Sequence, residues 1–464
     1  MIQKKQKNSL EPSSFRDPSG FVFYEGDRVL RQVNTVYKTE LDTLSDSGLL
    51  ELLIEKKYLV AHKRIKKNSD RKDAYAVFES ERIPFISYPY EWSFSQLKDA
   101  ALLTLEIQKI ALEHSLSLKD ASSYNIQFLN GKPIFIDLLS FETYQEGKPW
   151  VAYKQFCQHF LGPLLLMSMV DIQLGKLLQS HIDGIPLSLV SKLLPKTSYF
   201  SFGITSHIHL HAQNQEKYAD SAKNTHKNAQ LKLPKIALLG IIDSLETLIR
   251  KTEFGNKHTQ WGEYYTFTNY SDTAFEKKRE LVTEFMRQAA PKVVWDIGAN
   301  NGEFSRVASE SGIFTVSSDY DPVAVEKNYL RVKTNTEQNI LPLLIDLTNP
   351  SPALGWASSE RKSWLQRGPA DLVLALALVH HLAISNNVPF RNIVEFCSQI
   401  GKWIIIEFVP KQDSQVQKLL QTRTDIFSQY TQSDFEAAFL QKFTIVAQKP
   451  IPESERTLYL LKAR

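Results

Sequence analysis

The stretch that decides the fold of the C-terminal half of this chain is VVWDIGANNG, residues 293–302. Its apolar start predicts a buried strand that ends near the carboxylate of Asp296 and leads into a turn of the form Asp-x-Gly-x-x-x-Gly. That turn holds Gly298 and Gly302, and residues 303–311 follow as a predicted helix. A ligand at such a strand-to-helix turn meets unpaired backbone amides and the positive end of a helix dipole. The stretch therefore predicts a site for a nucleotide-like cofactor.

The turn differs from the common phosphate-binding signatures. It matches neither the Gly-x-Gly-x-x-Gly of dinucleotide sites nor the Gly-Lys-Ser/Thr of phosphate loops. No lysine stands in the turn to meet a phosphate group. The sequence therefore predicts a ligand that carries little or no phosphate charge.

Further apolar segments come after the turn and predict the other strands of one sheet. Two of them end in the acids Asp319 and Asp346, a third leads into a His-His pair, and a fourth holds Glu407. Asp319 follows the turn at close to the roughly 20-residue interval at which an acid binds ribose hydroxyls in open α/β sheets, with Asp321 as the alternative. Because the strands alternate with helical segments, we expect an α/β fold with a doubly wound parallel sheet whose ligand lies at the strand carboxyl ends.

In the order of these elements, residues 260–464 resemble a class I S-adenosylmethionine-dependent methyltransferase domain. The Asp-x-Gly-x-x-x-Gly turn stands as its first motif, followed by the two strand-end acids. Residues 443–451 and 456–462 read as two strands around a Pro-Glu-Ser-Glu turn, similar to the antiparallel hairpin that closes the seven-stranded sheet of this family. The resemblance covers somewhat under half of the chain.

This resemblance implies S-adenosylmethionine as the cofactor and gives each motif a place beside it. Asp296 and Gly298 are expected by its methionine part. Asp319 is expected to accept hydrogen bonds from the ribose hydroxyls, and Asp346 to lie near the adenine amino group. Since the family often covers the cofactor with the segment before the first strand, two tyrosines of that segment are candidates for a lid. The predicted cofactor-binding residues are Asp296, Gly298, Asn300, Gly302, Asp319, Asp346, Tyr265 and Tyr270.

His380 and His381 follow the fourth predicted strand, next to the place where the resemblance puts the methyl group. Methyl transfer is an in-line displacement, so the enzyme chiefly supplies alignment, with a base only if the acceptor must lose a proton. A neutral imidazole suits that base, which makes both histidines candidate catalytic residues. The alternative is that they pack or hydrogen-bond at the start of a helix. Adjacent helical residues point about 100° apart, which predicts that one of the two at most faces the methyl group.

The residues after the fourth strand narrow the identity of the methyl acceptor. An Asn-Pro-Pro-Tyr/Phe motif, usual there in methyltransferases of bases and glutamine amides, does not occur. We therefore expect an oxygen, or some other nitrogen, on a small molecule or a protein. Asn386 and Asn387 lie on the same loop and are candidates to orient the acceptor; alternatively they are turn residues.

The N-terminal half predicts an α+β domain over residues 1–195, joined through a helical and basic connector at residues 196–259. Asp120, Asn125 and, after a predicted hairpin, Asp137 partly resemble the catalytic loop and the metal-binding Asp of protein kinases. Leu118 stands where those families carry His, two leucines replace the Phe-Gly that usually follows the metal-binding Asp, and no convincing Gly-rich loop precedes them. The alternatives are an active phosphotransferase, turn and strand-end residues without function, or a remodelled fold that binds substrate or partner, which we favour.

Composition agrees with an intracellular enzyme of two to three domains. The chain has 464 residues, 43% of them hydrophobic, and a net charge of +4. Cys157 and Cys397 lie in separate predicted domains, which predicts neither a disulfide framework nor a metal cluster and favours the cytoplasm. No secretory signal or bilayer-spanning run is evident, so we expect no membrane partner. Nucleic acid is disfavoured as a partner because the basic stretches at 56–72 and 207–235 are poor in aromatic residues.

Three functions of different classes remain open from the sequence. The leading one is a methyltransferase whose N-terminal domain selects the acceptor. The second adds phosphoryl transfer by that domain, and the third is a non-catalytic scaffold with the methyltransferase fold. The intact motif residues Asp296, Gly298, Gly302 and Asp319 favour an enzyme over a scaffold.

Overall fold

The computed structural model describes residues 9–66, 71–213, 233–255, 272–421 and 424–464. They divide into two compact units, of which the first is Met1–Asn256 with Leu354–Arg361 and the second is Lys257–Ala353 with Lys362–Arg464. The described part of the expected connector therefore belongs to the first unit. Both candidate lid tyrosines, Tyr265 and Tyr270, lie outside the described residues.

The first unit begins with an antiparallel five-stranded sheet of order β1-β2-β3-β5-β4. Two small two-stranded sheets, β6-β9 and β7-β8, follow in the chain. Strands β2 and β3 pair as an antiparallel hairpin around a Glu-Gly-Asp turn. The strands are β1 (Ser9–Leu10), β2 (Gly20–Glu25), β3 (Arg28–Asn34), β4 (His62–Ile65), β5 (Ala74–Ser80), β6 (Leu116–Leu118), β7 (Ile126–Leu129), β8 (Lys132–Phe135) and β9 (Phe141–Thr143).

Helices make up much of the rest of the first unit. The longest is α3, and it begins with a capping box in which Ser93 Oγ accepts from Gln96 N and Gln96 Oε1 accepts from Ser93 N. Its buried face includes Leu103, Ile107 and Ile110. The helices are α1 (Lys38–Asp46), α2 (Leu49–Glu55), α3 (Phe94–Glu113), α4 (Tyr153–Phe156), α5 (Gly162–Met169), α6 (Leu177–Ser180), α7 (Leu187–Leu193), α8 (Phe202–Ile204) and α9 (Lys235–Lys251), with π-helical turns at Cys157–Leu161 and Thr205–His209.

The stretch Leu354–Arg361 belongs to the first unit although it comes late in the chain. Glu360 accepts two hydrogen bonds from the guanidinium of Arg16, at 2.6 and 3.1 Å. The guanidinium of Arg361 lies over the ring of Tyr124, 4.1 Å from its centroid. These contacts are of the charge-assisted and cation–π types that hold a short segment in a defined place.

The second unit contains a seven-stranded sheet of order β12-β11-β10-β13-β14-β16-β15. Strand β16 is antiparallel to both of its neighbours, whereas the five strands from β12 to β14 are parallel. This order, closed by an antiparallel hairpin, is the class I methyltransferase fold and confirms the predicted fold class. The strands are β10 (Val293–Ile297), β11 (Phe314–Asp319), β12 (Ile340–Leu344), β13 (Ala370–Ala375), β14 (Gly401–Phe408), β15 (Phe443–Pro450) and β16 (Thr457–Ala463).

Helices connect the strands of this sheet, and their apolar faces form its core. Phe304 and Val307 from the helix after β10 pack in one buried cluster with Leu372 and Leu374 from β13. The helices are α10 (Asp272–Ala289), α11 (Glu303–Ser309), α12 (Pro322–Asn335), α13 (Phe390–Ile400), α14 (Ser414–Gln421) and α15 (Gln432–Phe439), with a π-helical turn at His381–Ser385. Among the described residues, no helix is both long and apolar enough to cross a bilayer.

Candidate functional site

A cavity of about 430 Å³ lies at the carboxyl ends of the central strands of the second unit. That volume falls within the range of small-molecule sites, and this edge is where open α/β sheets bind ligands. Six of the residues predicted for cofactor binding or catalysis contribute to its wall. They are Asp296, Gly298, Asn300, Asp319, Asp346 and His381.

Asp296 is a buried carboxyl group at the base of the cavity. Its side chain accepts a hydrogen bond from Ser305 Oγ at 2.6 Å, and the residue is 2% exposed. Burial raises the pKa of Asp296 to about 7, and the nearby charge of Asp319 acts in the same direction, against the hydrogen bond from Ser305. A cationic group in the cavity would stabilise the ionised form of this acid.

Asp319 closes the turn that follows the first strand. One of its oxygens accepts from the backbone amide of Asn300 at 2.7 Å, and the other from the amide of Asp321 at 2.9 Å. Burial raises the pKa of Asp319 to about 6, although these amides favour the charged form. The carboxylate thus fixes the shape of the turn and still lines the cavity.

Two of the residues proposed for ligand contact, Asp321 and Gly302, also have structural roles in the fold. Asp321 caps helix α12, because its Oδ1 accepts from the amides of Val323 and Ala324 at 2.8 and 3.1 Å. Gly302 is absent from the cavity wall. Its φ of +81° and a Cβ position only 2.6 Å from Asn328 Nδ2 explain why glycine is needed there.

Asp346 lies two residues beyond the end of strand β12, which stops at Leu344. Its Oδ1 accepts from both the amide and the hydroxyl of Thr348, at 2.8 and 2.6 Å. The carboxylate is half-buried and held in one orientation by this local turn. It is therefore presented to the cavity from the third strand, as Asp296 and Asp319 are from the first two.

The two histidines differ in their surroundings. Only His381 lines the cavity, whereas His380 is 2% exposed and lies behind the wall, its ring centroid 4.1 Å from that of His381. Burial, with a smaller contribution from Arg456, lowers the pKa of His381 to about 4. His381 is therefore neutral at pH 7 and able to accept a hydrogen bond or a proton. The pair's asymmetry agrees with the direction change expected for adjacent helical residues.

A buried network of charges behind the cavity was not predicted. Lys278 Nζ lies 2.5 Å from Glu407 Oε2, and Arg456 Nη1 lies 3.1 Å from the other oxygen of the same carboxylate. Arg456 also pairs with Asp413 at 2.7 Å. Lys278 is part of the cavity wall. The sequence does contain a signal that Lys278 is buried, because this lysine stands at helical spacing between the apolar residues Ala274 and Val282, which are both buried.

In the first unit, the three residues that resemble a kinase centre are brought together. Asn125 donates to Ser140 Oγ at 3.2 Å, and that hydroxyl donates to Asp137. Burial, and then the charge of Asp137, raises the pKa of Asp120. Asp137 itself pairs with the guanidinium of Arg31 at 2.6 Å. Within the described residues, no group of three or more His, Cys, Asp or Glu is placed to hold a metal ion.

The chain is similar over almost its whole length to one curated protein. No protein-family model matches it. It is 38% identical over 458 residues to nodulation protein NoeA of Rhizobium meliloti (strain 1021). The aligned region covers 96% of this chain and 94% of that protein.

Solved structures match the chain over less than half of its length. N-methyltransferase NodS from Bradyrhizobium japonicum WM9 has 10% identity and a TM-score of 0.30, covering 42% of this chain and 98% of that one. Magnesium protoporphyrin IX methyltransferase (ChlM) from Synechocystis PCC 6803 has 14% identity and a TM-score of 0.31, and the match covers 44% of this chain and 92% of that one. The bifunctional kinase-methyltransferase WbdD has 14% identity and a TM-score of 0.29, and the match covers 41% of this chain and 40% of that one.

Proposed function

This chain belongs to the family of nodulation protein NoeA, and from that premise we propose that it is an S-adenosylmethionine-dependent methyltransferase acting on a small-molecule or protein acceptor. One observation carries the proposal. Asp296, Asp319 and Asp346, from three neighbouring strands of a class I methyltransferase sheet, line one cavity.

The residues of the cavity fit this cofactor. S-adenosylmethionine offers three sets of hydrogen-bond donors, namely an α-ammonium group, two ribose hydroxyls and an adenine amino group. Asp296, Asp319 and Asp346 are acceptors for these groups in that order along the cavity wall. The two deeper acids have raised pKa values because burial penalises their charge, so a cationic ligand relieves that penalty. The lack of a lysine in the turn agrees with a cofactor that has no phosphate.

When bound, the cofactor supplies an electrophilic methyl group, and the protein's part is alignment and exclusion of water. Gly298, with φ of +75°, lets the backbone of the turn approach the ligand. Leu376 and Leu378, which follow strand β13, give the adjoining wall an apolar character. These features support a reaction controlled mainly by how the acceptor is positioned.

His381 is the group we assign to the acceptor side. An efficient general base has a pKa near the working pH. The pKa of about 4 leaves His381 neutral but a weak proton acceptor. We therefore assign it first to hydrogen-bonding the acceptor. Whether His381 also removes a proton from the acceptor is decided by the turnover of His381→Ala and the pH profile of that variant.

The first unit is assigned to acceptor selection, as a remodelled kinase-like centre without phosphotransfer. The supporting observation is the pairing of Arg31 with Asp137, the acid that would otherwise hold a metal ion. A guanidinium at that carboxylate balances its charge in place of Mg²⁺. The three domain assignments, at residues 1–195, 196–259 and 260–464, remain proposals.

Calorimetric titration tests the cofactor directly. S-adenosylhomocysteine should bind to the full-length protein, and NAD should not, because the turn lacks the dinucleotide spacing. Labelled methyl transfer into fractions of a cell extract would then identify the acceptor class. Tight binding of NAD, or no binding of S-adenosylhomocysteine under conditions where the protein is folded, would overturn the proposal.

A further inference from the structure

We propose that Glu407 is a positioning residue of the cavity, and that its buried carboxylate holds the strained turn at Ala377 in place. This turn consists of Leu376, Ala377 and Leu378, which follow strand β13 and form part of the cavity wall. Glu407 is not among the residues that line the cavity, so it would act through the turn and not by touching a ligand. The inference rests on the proposed function, since this is the wall against which the cofactor and the acceptor would lie.

The backbone of Ala377 has a conformation that alanine rarely adopts. Its φ is +49°, in the left-handed region where a Cβ crowds the following carbonyl oxygen. Glycine reaches this region without that penalty, whereas a residue with a side chain keeps it only when its surroundings hold it there. The turn therefore needs support from outside its own three residues.

Glu407 makes a contact of this kind. Its Oε2 accepts from the backbone amide of Ala377 at 3.1 Å. The last paired residues of strands β13 and β14 are Ala375 and Ile406, so Glu407 comes one residue after the end of that pairing. Its carboxylate continues, through a side chain, the hydrogen bonding that the two strands make through their backbones. The amide of Ala377 is thereby held to the sheet where the chain turns into the cavity wall.

The carboxylate of Glu407 is itself fixed in one orientation. The residue is 0% exposed, and its two oxygens also pair with Lys278 and Arg456, at 2.5 and 3.1 Å. Arg456 is held in turn by Asp413 at 2.7 Å. Several charge-assisted contacts in a buried network restrict a side chain more than one hydrogen bond does. Glu407 can therefore act as a rigid support for the turn.

The turn at Ala377 places two parts of the site. A Cβ on Gly298 would lie only 3.1 Å from Leu378 Cδ1, so the turn packs closely against the first glycine of the Asp-x-Gly-x-x-x-Gly segment. The carbonyl oxygen of Leu378 accepts from the amide of His381 at 3.0 Å, so the helical turn that carries His381 starts there. A change of direction at Ala377 would move the wall beside the cofactor and the imidazole on the acceptor side together. Glu407 thus fixes both.

A double-mutant cycle tests the link between Glu407 and the turn. Glu407→Asp keeps the negative charge beside Lys278 and Arg456. It withdraws the acceptor from the amide of Ala377 by the length of one methylene group. We expect it to weaken S-adenosylhomocysteine by about 10-fold in calorimetric titrations of the full-length protein. Adding Ala377→Gly should recover most of that loss, because glycine adopts the left-handed conformation without support. A glycine at this position would not rescue a role of Glu407 in charge balance alone.

The matched control is Ala290→Gly. Ala290 also has a positive φ, +44°, but it follows helix α10 and does not line the cavity. Added to Glu407→Asp, this change should leave the affinity for S-adenosylhomocysteine as low as in Glu407→Asp alone. Equal recovery by Ala290→Gly and Ala377→Gly would mean that glycine restores general stability, and the inference would be wrong. It is equally wrong if Glu407→Asp binds as the natural protein does, or if Ala377→Gly recovers nothing.

Unfolding without a ligand separates this inference from the proposed function. Ala377→Gly should raise the denaturant midpoint more in the natural protein than in Glu407→Asp, because the intact carboxylate keeps alanine in its strained conformation. Equal gains would show that the carboxylate does not hold the turn. If S-adenosylhomocysteine does not bind the natural protein, the proposed function fails, and the unfolding measurement still decides the role of Glu407. Should Glu407→Asp not fold, Glu407→Gln replaces it in both measurements, since its single acceptor oxygen cannot serve the two cations and the Ala377 amide together.

Discussion

Asp319 Oδ2 lies 2.7 Å from the backbone nitrogen of Asn300 and accepts its hydrogen. This bond joins the end of the second strand in chain order to the turn that follows the first. Because Asn300 has a positive φ of 52°, the turn needs such support to keep its shape. The acid that the resemblance assigns to ribose therefore also builds the surface on which a cofactor would lie.

Replacing this acid should affect affinity and stability together. Asp319→Ala removes an acceptor from the cavity and leaves the amides of Asn300 and Asp321 without it, at a cost on the order of 1 to 3 kcal/mol. We expect calorimetry to show S-adenosylhomocysteine binding about 10-fold to 100-fold weaker, together with a lower melting temperature.

The control for this variant is Asp371→Ala, near the amino end of strand β13 and so at the end of the strands away from the cavity. Asp371 also accepts from two backbone amides, those of Lys292 and Val293. Asp371→Ala should lower the stability of the protein without changing its affinity for S-adenosylhomocysteine. Equal affinity in the Asp319 variant and the natural protein would remove Asp319 from the site.

The buried acids predict a pH dependence of ligand binding. Burial raises the pKa of Asp296 to about 7 and that of Asp319 to about 6. The ammonium group of S-adenosylhomocysteine prefers ionised acids beside it, so the affinity for this ligand should rise between pH 5.5 and pH 8. Binding near pH 6.5 should release protons, which calorimetry in buffers of different ionisation enthalpy measures. Affinity that is flat across this range would contradict the assignment of the ammonium to Asp296.

The stability of the free protein should change in the opposite direction. Both acids have folded-state pKa values above the unfolded value of about 3.9, so the folded state binds more protons between these limits. Their contribution to the free energy of unfolding therefore falls as pH rises from about 4 to about 7. Asp296→Asn should flatten this dependence in denaturant titrations, and an unchanged slope would show that Asp296 is not a source of it.

The two histidines should give different phenotypes when replaced by alanine. His381→Ala should keep cofactor affinity and lose turnover, by about 10²-fold to 10⁴-fold if the ring is a general base. A smaller loss with an unchanged pH profile would indicate hydrogen bonding to the acceptor. His380→Ala should lose stability more than turnover, since this buried ring lies behind the wall. Near-normal turnover in both variants would show that catalysis is alignment without either imidazole.

The polar centre of the first unit should not bind Mg²⁺ and ATP. A melting experiment with both ligands should show no shift, because Arg31 already pairs with Asp137. Arg31→Gln should lower stability by about 3 kcal/mol, since it leaves a mostly buried carboxylate unpaired near Asp120. Arg28→Gln, on the same strand but exposed and paired with Glu79, should change stability little. A clear upward shift with Mg²⁺ and ATP that Asp137→Asn abolishes would restore phosphotransfer as the function of this unit.

Much of the C-terminal fold could be predicted because its signals are local. Apolar runs that end in an acid and glycines at the turn depend on residues a few positions apart. The two closing strands, predicted at 443–451 and 456–462, agree with β15 and β16 to within one residue at each end. The same holds for Asp296, Asp319 and Asp346, whose position at strand ends puts them on one sheet edge. Asp321 and Gly302 carried the same sequence signals, and the three-dimensional contacts add a helix cap at Asp321 and a packing constraint at Gly302.

The sequence by itself therefore determined the fold class of the second unit, the strands of its sheet and the acids that line its cavity. Tertiary structure alone decided which charges meet. Lys278, Glu407 and Arg456 come from a helix, a strand and a turn far apart in the chain, as Arg31 and Asp137 do in the first unit. Local propensity carries no information about such pairs, because their energy depends on burial and on the partner that the fold brings within hydrogen-bond distance.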